Sequence, residues 1–305
     1  MHIEFHFRQS LKSWVLPMSM LGGILLHDYI DKLSAITPYL IFTMLTITYT
    51  RLEIKEFRVT AFQWALLSIQ LLGGTASYIA LLPIDSNMAA GAFICFFMPT
   101  ATAAPVITGM LGGSITKIAT YSLLCNMVVA ISAPSFLALA NGGNVDFISS
   151  FTTICSEVVP LLLIPLAVAI MLKYFAPRAH SAIANHQAIS FWIWAASLFI
   201  VMGQAVSHMI KQPLEEFPDM IWLSIIALCV CCIQFYTGRK IGKRYGDKIS
   251  GAQGLGQKNT ILGLWMTLTY LNPIVSVAPA AYIVWQNAIN SWQLYKKTKH
   301  NTART

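Results

Sequence analysis

Apolar residues run in ten long stretches separated by short polar breaks, at 14–26, 35–49, 61–82, 88–111, 118–140, 148–174, 188–210, 220–236, 249–270 and 274–294. Most approach the ~20 residues that a helix needs to cross a hydrocarbon core, and none shows the strict alternation of a half-buried strand. The pattern predicts an all-α polytopic membrane protein of ten helices. The first stretch carries Gly22 and Gly23 and meets His27 and Asp28 with no small-x-small cleavage site, so it reads as a retained helix rather than a signal peptide.

The fourth and ninth stretches depart from the pattern. The fourth holds Pro99-Thr100-Ala101-Thr102-Ala103-Ala104-Pro105 in its middle, and the ninth holds Ser250-Gly251-Ala252-Gln253-Gly254-Leu255-Gly256-Gln257-Lys258-Asn259-Thr260. Both are expected to be discontinuous helices. A broken helix frees backbone N–H and C=O groups near mid-membrane, and these are tolerated only where they are bound or line a cavity. Each broken helix is the fourth of five, and five crossings invert the second half relative to the first. The chain therefore divides into two inverted repeats, 1–140 with a break near 99–105 and 141–305 with a break near 251–259. Paired interruptions at matching places in inverted halves point to a transporter binding site. A simple proline kink in the fourth helix would leave the polar, glycine-rich ninth unaccounted for.

Composition supports lipid as the solvent. Of 305 residues, 56% are hydrophobic and 10% charged, with a mean hydropathy of +0.63; a soluble domain carries about 25% charged residues. The length leaves no room for a separate soluble domain. With the N-terminus cytoplasmic, every Lys and Arg falls on the cytoplasmic side except Lys32, Lys211 and Lys258. Basic loops resist translocation, so both termini are expected in the cytoplasm of a multi-pass inner (plasma) membrane protein. The formal charge of +8 then reflects topology. It implies a lipid bilayer and a small-molecule solute as partners and no nucleic acid; oligomeric state is left open.

The interrupted segments resemble the bile acid:sodium symporter family. Where that family typically has P-G-G-T-A-S-N-V-M-T, this chain has Pro99-Thr100-Ala101-Thr102-Ala103-Ala104-Pro105-Val106-Ile107-Thr108; where it has E-x-G-x-Q-N-S, this chain has Gln253 through Thr260. Leu271-Asn272-Pro273 and Trp285-Gln286-Asn287 resemble its N-P and V-W-H-N stretches. The resemblance implies ten helices in a panel and a core domain, a site at two crossing broken helices, and alternating access. It implies Thr100, Thr102, Ala103, Lys258 and Asn259 as substrate-binding positions. The family's sodium sites use the S-N pair and the E; here these are Ala104, Pro105 and Gln253. A methyl group and a proline ring cannot coordinate a hard cation, and an amide brings no charge. Gln70, Ser122, Asn126, Gln253 and Gln257, with Thr120, remain as ion-coupling positions or their remnant, and neither sodium nor proton coupling follows from them.

Lys258 lies where the family places a substrate-facing asparagine. A charge at mid-membrane is costly unless paired or hydrated, so it marks function. Its ammonium could replace sodium as a fixed cation, bind an anionic group of the substrate, or exchange a proton; the alternative is a lysine that snorkels to the cytoplasmic face. Glu157 is the one acid well inside an apolar stretch, about ten residues or ~15 Å along its helix. It could pair with Lys258, stay protonated, or face an outer vestibule. Lys258 and two half-helix N-termini favour an organic anion as the solute. No Ser/His pair, aspartate pair or H-E-x-x-H motif points to an enzyme, although a channel or sensor would also fit the segmentation. All six cysteines lie in apolar stretches; Cys229-x-Cys231-Cys232 has no second ligand group at metal spacing and reads as apolar filling. No cofactor or metal is expected.

Overall fold

The computed structural model of the chain describes residues 15, 17–51, 58–101, 103–140, 147–186, 188–211 and 213–302. Among these residues every regular element is helical and no strand forms. In chain order they are α1 (17–25), α2 (His27–Ile30), α3 (Thr37–Tyr49), α4 (Ala61–Leu81), α5 (Ser86–Phe97), α6 (Ala104–Leu111), α7 (Ile115–Ala140), α8 (Phe147–Phe175), α9 (Pro177–Asn185), α10 (Ala188–Ile210), α11 (Phe217–Arg244), α12 (Lys248–Gly256), α13 (Thr260–Tyr270) and α14 (Val277–Thr302). Four described helices, α4, α7, α10 and α11, are long and apolar enough to cross a membrane. Their outer faces match lipid. On α4, Trp64, Leu72 and Ile79 point outward, with Leu72 68% exposed; on α11, Trp222, Ile233 and Tyr236 do the same. Stripes of this kind would be an aggregation hazard in water and are ordinary against hydrocarbon. The protein is an all-helical membrane protein.

The expected stretch at 88–111 is two helices, α5 and α6, and the stretch at 249–270 is two more, α12 and α13. One polar connection expected as a loop contains the short α9, which starts on Pro177 and buries no residue. Proline at the first helical position lacks only an N–H that would be unpaired there anyway.

Two large apolar clusters hold the bundle, with a small third formed by Leu45, Tyr49, Ala119 and Ala169. The larger joins α4, α5, α7, α11, α12 and α14 through Leu66, Phe93, Phe97, Tyr121, Phe235 and Tyr282. The ring of Phe93 lies 4.9 Å from those of both Phe97 and Phe136. The smaller joins α3 and α10 to α6 and α14 through Met44, Trp194, Leu198, Met202, Ile107 and Ile283.

α11 and α12 form a hairpin whose backbones touch. A Cβ placed on Gly238 would lie 2.2 Å from Gly251 O, and one on Gly251 would lie 2.2 Å from Gly238 O. The glycines at 251, 254 and 256 therefore lie within a helix, where Gly251 admits the backbone of α11 and Gly254 and Gly256 admit the side chains of Leu66, Tyr121 and Phe235. This narrows the break expected near 251–259 to Gln257, Lys258 and Asn259. At its start α12 is capped by Asp247, whose Oδ1 accepts from Ser250 N at 2.9 Å. Asp247 Oδ2 accepts from Ser114 N at 2.9 Å, which fixes α12 to the loop between α6 and α7.

Candidate functional site

The chain leaves α5 through an extended segment and joins α12 to α13 through another, and the two cross antiparallel. Ala101 N donates to Gln257 O and Asn259 N donates to Pro99 O, both at 2.8 Å, with Thr100 opposite Lys258. The local causes differ. Pro99 has no N–H and holds Met98 out of the helical region, at φ −42° and ψ 134°. The second segment has no proline. Its bend at Lys258 is held by Gln286, whose Oε1 accepts from Lys258 N at 2.8 Å and whose Nε2 donates to Lys258 O at 3.3 Å.

Breaking a helix inside a membrane leaves carbonyls that need donors. From Ile94 to Ala101 every carbonyl has one. Ile94 O accepts from Met98 N, and Cys95 O from Gln234 Nε2 at 2.9 Å. Phe96 O accepts from Lys258 Nζ at 2.9 Å. Phe97 O and Met98 O accept from Gln70 Nε2 at 2.9 and 3.1 Å. Pro99 O takes Asn259 N, Thr100 O takes Asn126 Nδ2 at 3.3 Å, and Ala101 O takes Ala104 N. At the end of α12, Gly254 O accepts from Thr100 Oγ1 at 2.9 Å, Gly256 O from Tyr282 OH at 3.1 Å, and Gln257 O from Ala101 N.

Most residues singled out in the sequence sit at this crossing, in different roles. Lys258 is 1% exposed, so it does not reach a water surface; its ammonium rests at the C-terminal end of α5. Thr100 is wholly buried with its hydroxyl on Gly254 O. Gln70 also accepts from Tyr121 OH at 2.8 Å and Cys125 Sγ at 3.1 Å. Asn126 Nδ2 also donates to Ser122 O at 2.7 Å, while Thr120 Oγ1 bonds Thr116 O within α7. Gln253 Nε2 donates to Asn290 Oδ1 at 2.9 Å, and Asn290 in turn donates to Gln257 Oε1. Gln253 Oε1 and Asn126 Oδ1 are buried with no hydrogen-bond partner among the described residues. Thr102 lies outside the described residues. Glu157 belongs to α8, and its side chain lies outside them too, so its pairing with Lys258 is left as an expectation.

Beside the crossing a cavity of about 380 Å³ opens between α3, α10, α13 and α14. Ala101, Ala103, Gln257, Lys258 and Asn259 line one side; Met44, Trp194, Leu198 and Trp265 supply apolar wall. The cavity meets the N-terminus of α13, where Asn259 Oδ1 accepts from Leu262 N at 3.2 Å. It also meets Thr37, at the start of α3, whose hydroxyl is buried without a partner among the described residues. None of its lining residues is Asp or Glu. Thr100, Gln70, Ser122, Asn126 and Gln253 are not among the lining residues. The second half-helix N-terminus expected for an anion, that of α6, is occupied: Ala104, Val106 and Ile107 donate to Ala101 O and Ala103 O, and Pro105 has no N–H.

Sequence reasoning missed Thr37, Gln234, Tyr282 and Asn290, and saw Gln286 only through the resemblance. Gln234 and Asn290 carried a readable signal: an amide inside an apolar stretch needs a partner that lipid cannot give. The fold and the site together define a helical membrane protein with two interrupted helices crossing beside a small cavity. Among protein-family models none matches the chain, and no curated protein matches it.

Proposed function

We propose that this protein is a secondary transporter of a small organic anion, working by alternating access at the crossed helices. The observation that carries the reading is the acid-free cavity at the N-terminus of α13, with the unpartnered Thr37 hydroxyl in its wall. A helix N-terminus carries about half a positive charge, which favours an anion by up to ~2 kcal/mol where water is partly excluded. The walls of Met44, Trp194, Leu198 and Trp265 suit an apolar body on that anion. The volume lies at the small end of the ~300–1,000 Å³ range of small-molecule sites. In this reading the chain is a ten-helix member of the bile acid:sodium symporter type, built from inverted repeats 1–140 and 141–305. It lies in an inner membrane with both termini in the cytoplasm. α3 and α10 move against the body that holds the crossing, and the cavity between them opens to alternate sides.

The test starts from acid and amide pairs of one skeleton: benzoate with benzamide, phenylacetate with phenylacetamide, hexanoate with hexanamide. Acids that fit are expected to raise the thermal midpoint of the purified protein, and their amides are not. A radiolabelled stabilising acid should then show counterflow into preloaded proteoliposomes. Equal stabilisation by an amide would remove the preference for an anion. Downhill flux without counterflow would mean a channel.

A further inference from the structure

We infer that Lys258 is a built-in cation: it supplies, from within the chain, the positive charge that the helix crossing requires, so the cycle needs no exchangeable cation. The first half of this inference is independent of the transport reading; the second half rests on it.

Two helices, α5 and α12, end at the crossing. Each C-terminus carries about −0.5 of a charge, so the pair presents roughly one negative charge in a medium that screens it poorly. One ammonium balances that sum. Lys258 sets that ammonium on the end of α5 from a backbone position at the end of α12. Its backbone follows directly on the last turn of α12 and is fixed by Gln286 on one edge and the pairing with Thr100 on the other. Its side chain crosses to α5 and donates to Phe96 O at 2.9 Å. Lys297, at the far end of α14, does the same for α6 by donating to Met110 O at 2.7 Å. Both helices of the first interrupted pair thus end on a lysine from the second half.

A dissociable ion at such a place would have to load and leave in every cycle. A tethered ammonium does neither, so both helix ends stay balanced whichever side is open. The unpartnered oxygens nearby, Gln253 Oε1 and Asn126 Oδ1, belong to neutral amides. They bring no net charge to capture a bare monovalent ion from water.

The experiment compares thermal midpoints of the purified full-length protein in NaCl, KCl and choline chloride at one ionic strength. The wild-type protein is expected to show the same midpoint in all three. Lys258→Ala should lower it by several degrees and regain it, saturably, in ethylammonium or sodium chloride but not in choline chloride. A bystander lysine would give no such rescue. Saturable stabilisation of the wild-type protein by sodium or potassium would overturn the inference, and Gln253→Leu would then locate the ion. A Lys258→Ala protein as stable as wild type and indifferent to every salt would overturn it as well. If that variant does not accumulate, the wild-type salt series and Lys258→Arg, expected to keep the wild-type pattern, still decide. Counterflow of a stabilising acid should run equally fast in sodium and choline media, and a tenfold sodium dependence would refute ion independence. Absence of counterflow in any medium sinks the transport reading instead, leaving the midpoints to judge the charge.

Discussion

The interruption between α5 and α6 is flanked by Pro99 and Pro105, whereas the one between α12 and α13 contains no proline and follows a glycine-rich helix. The first break is local: proline removes donors and bars the helical conformation before it. Its carbonyls are then satisfied from a distance, by Gln70 of α4, Asn126 of α7, Gln234 of α11 and Lys258. The second break is tertiary. Gln257, Lys258 and Asn259 are compatible with a helix on their own and are held extended by Gln286, Asn290 and the opposing strand-like segment. The two also differ in what they offer a solute. Both N-termini spend N–H groups on their own preceding residues, α13 through Thr260 and Leu262, but α13 presents Asn259, Thr260, Ile261 and Leu262 to the cavity, whereas the α6 side lines it with Ala101 and Ala103. The pair is symmetric in layout and asymmetric in chemistry: the first segment meets the cavity with alanines and the second with polar side chains.

Replacing one glycine in each half by alanine breaks that comparison most sharply. A Cβ on Gly251 of α12 meets the backbone of α11 at 2.2 Å, and backbone cannot rotate away. A Cβ on Gly91 of α5 meets Leu223 Cδ2 at 2.6 Å, the end of a side chain that can. Gly251→Ala is expected to cost about 3 kcal/mol or more and Gly91→Ala about 1 kcal/mol or less. Thermal midpoints and the monodisperse fraction in detergent check both, and equal losses would mean that the α11–α12 contact is not as close as described.

A smaller effect separates the two glutamines that stand beside the breaks. Gln70→Leu strips the donor from Phe97 O and Met98 O together. Gln286→Leu orphans only Lys258 N, since Lys258 O keeps Thr260 N at 3.0 Å. Gln70→Leu also leaves Tyr121 OH without its acceptor, so at about 1–3 kcal/mol per unpaired buried group it should cost roughly three times as much as Gln286→Leu. The reverse order, measured by thermal midpoint, would place the crossing's stability in the second segment rather than the first.

That asymmetry also explains what the sequence made legible. Pro99 and Pro105 announce their break in one dimension because proline acts on its own backbone. The glycines of the ninth stretch announced a break too, a few residues early: Gly251, Gly254 and Gly256 are helical, and neighbouring helices account for them, α11 packing on Gly251 and Gly256 and side chains of α4 and α7 on Gly254. The cap of α13 was readable from Asn259, and the crossing only through the resemblance. The cavity was not. Thr37, Trp194 and Trp265 come from three helices far apart in the chain, and nothing about a threonine at the start of an apolar stretch says that its hydroxyl will be left without a partner. The destination of Lys258 was legible only as a set of alternatives, because which carbonyl a buried ammonium reaches depends on where α5 ends relative to α12.

The mildest substitution bears on the cargo side alone. Aspartate caps a helix about as well as asparagine, so Asn259→Asp should leave the thermal midpoint close to wild type, within about 0.5 kcal/mol. It also sets a negative charge at the N-terminus of α13, beside the place proposed for the anion. Asn259→Ala does the opposite: it loses about 1 kcal/mol of capping and adds no charge. Binding of a stabilising acid, followed by calorimetry, should weaken at least tenfold, or ~1.4 kcal/mol, in Asn259→Asp and by less in Asn259→Ala. A third variant fixes the pole of the site. Thr37→Val removes a hydroxyl that already lacks a partner, so it should cost no stability, yet weaken the acid if that hydroxyl serves the solute. If the acid binds Asn259→Asp as tightly as wild type and only Thr37→Val weakens it, the charged end of the solute points to α3 and the crossing meets its apolar body.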